Sequence, residues 1–167
     1  MTTRDHLVYQ LQAHYSCGRD LLPWLDLLHH RAGHEQPREM LAQVHAVLRS
    51  QLELLERALN LLGARYKQEH NPFPPAEHEA TERFQHRMAP SQEQVEIYAL
   101  LEVTHWLHWF NGAFQGEVDL AREIGEADVA RLLTEGSEQL HAILEPLAVV
   151  RGATIRGVAR TETRRAA

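Results

Sequence analysis

A chain of 167 residues with 44% apolar residues is long enough for one domain with a real core and too apolar for disorder throughout. No apolar run approaches the ~20 residues of a membrane span, no secretory leader is expected from MTTRDHLVYQ, and the single cysteine, Cys17, excludes an internal disulfide and fits a reduced cytoplasm. The net charge is −6, yet residues 151–167 hold five arginines against one glutamate, so the rest of the chain carries −10; an acidic body with a short basic tail excludes a nucleic-acid-binding face on the fold itself.

The first predicted helix spans residues 4–30. Leu7, Leu11, His14, Gly18, Leu21, Leu25 and Leu28 follow alternating steps of four and three, with Pro23 expected to kink the helix. Gly33 and Pro37 mark a tight turn. A second helix follows over 38–62, with Leu41, Val44, Leu48, Gln51, Leu55, Ala58 and Leu62 on one seam and Gly63 as its C-cap. The short turn makes the first two helices an antiparallel hairpin. Residues 64–90 break the pattern: NPFPP reads as non-helical, and EHEATERFQHRM as at most a short helix. A connection of this length suits a bundle with one crossover running its full length.

Ser91, with Gln94 three residues on, forms a capping box. A third helix runs from 92 to about 124, with Gly112 and Gly116 as expected points of bending and Gly125 as its end. The fourth covers about 126–150, with Val129, Leu132, Leu133, Gly136, Leu140, Ile143 and Leu147 on one face and Pro146 expected to distort its last turns. From Arg151 onward no periodicity is visible, and a loose tail is expected. The fold class is therefore all-α: an antiparallel four-helix bundle over residues 1–150 with a long crossover between helices two and three, followed by a basic tail, 151–167.

Two Glu-x-x-His pairs, Glu102/His105 and Glu138/His141, have the spacing by which one helix offers two ligands to a metal. Their direction argues otherwise. The apolar face of the third helix is centred on Ile97, Leu100, Leu101, Thr104 and Leu107. Glu102 falls about 170° and His105 about 110° from its centre, while Glu138 points almost directly away from the fourth helix's face and His141 lies about 120° off. Both pairs read as solvated helix backs. The inward polar residues are His14, Gln51, Thr104, His108 and Asn111. Opposed helices can bring them to one layer, made roomy by Gly18 and Gly136, which hydrogen-bonds internally or holds water or a small ligand. His14 and His108 are expected at similar height, and no inward carboxylate accompanies them.

Residues 5–150 resemble the YciF-like branch of the ferritin-like superfamily. The stretches that carry the likeness are QLELLERALNLLG (51–63) and EVTHWLHWFNGAF (102–114), set beside a family pattern of roughly V-E-H-Y-E-I-A-A-Y-G. The resemblance implies a four-helix bundle, usually dimeric, linked to bacterial stress responses and bearing a di-iron-type site. Val103 and His105 match that pattern. Thr104 and Leu107 stand where the family has ligand glutamates, Gly18 stands at the first-helix glutamate, and Leu140 near the fourth-helix one. Periodicity also places these four positions inside, so the implied fold carries over and the implied iron does not.

Two functions compete. The first is a metal-free bundle acting as a binding or structural protein with no catalytic residues and no cofactor, homodimeric through Trp106, Trp109 and Phe110, unless Phe73 and Phe84 of the crossover cover them. The second is an iron- or divalent-metal-dependent stress protein or oxidoreductase with a site rearranged from His14, His45, Glu102, His105, His108, Glu138 and His141. A covalent enzyme built on Cys17 or Ser16 lacks a visible activating base.

Overall fold

The computed structural model describes residues 1–66 and 73–166. Among them are five helices and no strand: α1 (Thr3–Arg31), α2 (Glu35–Leu61), α3 (Phe73–Met88), α4 (Gln92–Glu123) and α5 (Ala127–Ala166). The expected third and fourth helices are thus α4 and α5. The Asn71–Pro72 part of the anticipated break, His70 and the side chain of Phe73 lie outside the described residues.

Helix ends follow local chemistry. Thr2 caps α1 through a capping box with Asp5, and Ser91 caps α4 through the expected box with Gln94. Gly63 and Gly125 adopt φ of +66° and +78°, the left-handed backbone that closes a helix, and the following amides reach back to Leu59 and Ala121. Helix α2 begins three residues earlier than expected because Pro37 sits in its first turn, where a missing N–H breaks no bond. The same rule lets α3 start at Phe73 despite the prolines that follow, so the expected break at Phe73–Pro75 is corrected.

The four long helices form a ring in which α1 packs on α2 and α4, and α5 packs on α2 and α4. Glu117 of α4 meets His14 near the middle of α1, whereas Glu96 meets the turn after α1, so α1 and α4 run antiparallel. Because α2 also opposes α1, α2 and α4 are parallel. The crossover must therefore return the length of the bundle, and α3 forms its second half. It lies against α1 through a 2.9 Å bond from the Trp24 indole to Thr81 and a bond from Arg31 to Gln85, and against α4 where Phe84 stacks on Tyr98.

The anticipated loose tail is instead a continuation of α5. Arg151 donates to Thr104 Oγ1 across to α4, and the hydroxyls of Thr154, Thr161 and Thr163 bond back to carbonyls one turn earlier. Pro23 and Pro146 sit exposed inside unbroken helices, each giving up one backbone bond on the solvent side.

Gly18 and Gly136 serve close packing rather than an open layer. A Cβ on Gly18 would lie 2.9 Å from Leu52 and 3.1 Å from Phe110; on Gly136 it would lie 2.7 Å from Phe114 and 2.8 Å from Gln51 Oε1. Gly112 and Gly116 have open space around them and do not break α4. Gly136→Val is therefore expected to destabilise by about 1–3 kcal/mol through overpacking. Gly116→Ala is expected to stabilise by about 0.5–1 kcal/mol through helix propensity. Urea unfolding of both variants measures the two signs; equal effects would show that Gly136 is not packed as described.

Candidate functional site

Helix α4 organises the interior. Glu96, Val103, Phe110 and Glu117 recur every seven residues and are all buried, with Leu100, Leu107, Phe114 and Ala121 beside them. This buried face is rotated by about 75° from the face expected on apolar residues alone. Ile97 lies at its margin and Leu101 outside, while two glutamates lie inside.

The two glutamates have different tasks. The Glu96 carboxylate accepts hydrogen bonds of 2.8 Å each from the Gly33 amide, the His34 amide and His34 Nδ1, closing the turn between α1 and α2. Glu117 meets His14, whose Nδ1 sits 3.1 and 3.0 Å from its two carboxylate oxygens. The side chains of this pair are 1% and 5% exposed. Facing two oxygens of one carboxylate, Nδ1 carries the hydrogen. His14 Nε2 is buried with no hydrogen-bond partner among the described residues. Three rings enclose the imidazole: Phe110 at 4.5 Å, Phe114 at 4.6 Å and Trp109 at 5.8 Å between centroids.

The other expected inner residues separate into pairs. Gln51 is buried and donates to Gln139 Oε1 at 2.9 Å. Thr104 is buried, bonds back to Leu100 O and accepts from Arg151. Asn111 is half-buried and accepts from Ser137 at 2.7 Å. His108 is exposed, so its expected place beside His14 is corrected: once the face turns toward Phe110 and Glu117, position 108 falls outside. The inward carboxylate thought missing is Glu117. Gly18, Thr104, Leu107 and Leu140 are all buried, as periodicity required.

The candidate metal ligands do not converge. His45 pairs with Asp26 at 3.3 Å on the α1–α2 surface, and Glu138 and His141 are exposed on α5. No group of three His, Cys, Asp or Glu side chains arranged to hold a metal occurs among the described residues. The one interior His–Glu pair does not supply the donors of a dinuclear carboxylate centre, which draws on all four helices. Cys17 is fully buried, and burial pushes its thiol up to about 12, so it is no nucleophile.

Glu102 and His105 belong to a second feature. Glu102 is not a solvated helix back, because α3 crosses beside it. With Glu77 of α3 and with Trp106 and Trp109 it lines a surface cavity of about 280 Å³. His105 Nδ1 lies 3.8 Å from Glu102 Oε2. The two indoles meet edge to face, 5.7 Å apart at 75°. Burial, and then the charge of Glu102, raise the pKa of Glu77, while His105 pulls it down. Trp106 is half-buried and Trp109 49% exposed; Phe110 is 1% exposed and closed to any partner, which removes it from the expected interface.

The E. coli stress protein YciF aligns with a TM-score of 0.78 at 17% identity, over 93% of this chain and 98% of that one. A protein of Xanthomonas campestris pv. campestris gives 0.79 at 16% identity, over 97% and 99%. YcfI of Rhodopseudomonas palustris gives 0.74 at 17%, over 89% and 94%. The chain has the YciF-like helical fold. No family model matches the sequence, and no curated protein is significantly similar to it.

Glu96 and Glu117 were missed in the sequence because charge was read as exposure; their heptad spacing with Val103 and Phe110 was the available signal. Glu77 had no signal, since nothing local fixes the path of the crossover. If His14 and Glu117 form a buried pair, Glu117→Ala should cost about 3–5 kcal/mol, as breaking such pairs does. The His14→Leu/Glu117→Leu double variant should lose markedly less than the sum of its single variants. Denaturant unfolding of the four proteins in this cycle measures the coupling, and strict additivity would dissolve the pair.

Proposed function

We propose that this protein is a metal-free, ferritin-like bundle of the bacterial stress-response type, acting in the cytoplasm as a homodimeric binding or structural protein rather than as an enzyme. The observation that carries this reading is the His14–Glu117 pair. Where a di-iron bundle gathers carboxylates and histidines from four helices, the middle of this interior offers His14 and Glu117, already bonded to each other and walled by Phe110 and Phe114, while the other buried carboxylate, Glu96, is taken up by the turn after α1. The stress role rests on the name of the E. coli protein that shares the fold.

The competing reading, an iron-dependent stress protein, needs ligands that the fold keeps apart: His45 on one surface, Glu138 and His141 on another. Protein purified without a His-tag and exposed to ferrous iron should retain well under one metal per chain by elemental analysis. Stoichiometric, tightly held iron that is lost in Glu117→Gln would overturn the metal-free reading.

A second copy is the proposed partner. Leu101 of α4 and Val149 of α5 are exposed apolar residues that a symmetric contact would cover. Light scattering should return about twice the 19.2 kDa chain mass. Leu101→Glu with Val149→Glu should shift the protein toward monomer; a monomer in the unaltered chain at high concentration removes the dimer.

A further inference from the structure

The surface cavity between α3 and α4 has a composition that selects its ligand. Two indole rings standing nearly perpendicular make an apolar corner, and their faces attract positive charge. Two carboxylates on different helices, Glu77 and Glu102, border the same space, with His105 as the one basic group among the described lining residues. We propose that this cavity is a binding site for a small organic ammonium cation, of the quaternary or alkylated-amine class.

Other ligand classes fit worse. An anion would meet both carboxylates. A hard divalent ion asks for six or more oxygens, whereas the described lining offers two carboxylates, one imidazole and two indoles, and among the described residues no three donors converge for a metal. A neutral apolar guest would strip water from the glutamates without giving them a partner. An alkylammonium satisfies both halves: its methyl groups lie on the indoles and its charge answers the carboxylates. Burial and then the charge of Glu102 raise the pKa of Glu77, and a cation held beside both carboxylates would offset that repulsion. At about 280 Å³ the cavity is below the usual range for drug-sized ligands, which limits the guest to roughly a trimethylammonium head with a short substituent. The site lies outside the bundle core, so this inference stands or falls independently of whether the interior binds metal.

The test is calorimetric titration of the full chain with choline as a quaternary-ammonium probe, alongside its uncharged isostere in which carbon replaces the quaternary nitrogen. The expected result is one site per chain with a Kd on the order of 0.1–1 mM. The isostere should bind at least about tenfold more weakly, and Glu102→Gln, Glu77→Gln and Trp109→Ala should each lose about tenfold or more. Circular dichroism melting checks that the variants fold; should Trp109→Ala be unstable, the two glutamine variants decide. No saturable choline binding, equal binding of the isostere, or full binding by the glutamine variants would overturn the proposal. Tighter binding of magnesium than of choline at the same residues would also overturn it.

Discussion

Two buried carboxylates on one helix fix how the bundle is put together. Glu96 and Glu117 lie three heptads apart on the inner face of α4. A carboxylate taken out of water is costly unless it finds donors. Glu96 finds them at Gly33 and His34, just beyond the end of α1; Glu117 finds one at His14, near its middle. The donors on α1 are spaced almost as the acceptors on α4. Only one register of the two helices, and only the antiparallel direction, satisfies both at once. A slip of one turn would leave two charges buried without partners. Given that register and the tight hairpin at residues 32–34, α2 and α4 have to be parallel, and the long crossover follows as a geometric necessity. The apolar residues favour some bundle; the two glutamates choose this one.

Much of this was legible beforehand. The capping box at Ser91, the closing glycines at 63 and 125, the α1–α2 hairpin and the inward stripes of α1 and α2 are local features whose chemistry acts within a few residues. The errors share a cause. Apolar counting places the face of α4 over Ile97 and Leu101 and sends every glutamate outward, yet a glutamate with three donors waiting for it is stable inside. That inversion moved Phe110 from an expected interface into the core and His108 from the core to the surface. The helical run beyond Arg151 was hidden for a different reason: it has no apolar period, and its threonine back-bonds and the Arg151 contact to Thr104 are visible only once α4 stands beside it.

The interior also shows how ring packing can fill the volume that glycines open in a bundle of this type. Glycine at positions 18 and 136 could have left room for water or a cluster. Instead the rings of Phe110 and Phe114 occupy that space, coming close enough that even a methyl group at either glycine would force a shift. The same rings surround His14, the one buried histidine among the described residues, which contacts aromatic rings and a single carboxylate. Tight packing and a polar, hydrated ligand cage are alternative uses of the same volume, and here packing has taken it.

What polar chemistry remains is displaced outward, to the seam where the crossover helix meets α4. Helix α3 is held there by few but specific contacts: Thr81 accepts from the Trp24 indole and bonds back to Glu77 O, and Phe84 stacks on Tyr98. Those contacts bring Glu77 to the same hollow as Glu102 and two tryptophans, Trp106 and Trp109, which also pack on the bundle core. The charge of Glu102 raises the pKa of Glu77, so the two carboxylates act on each other at this hollow. The arrangement is further biased by the body of the chain, whose −10 charge attracts cations toward every acidic concavity. The crossover therefore does two things with one set of contacts: it shields the side of α1 and α4, and it assembles an aromatic, doubly acidic hollow.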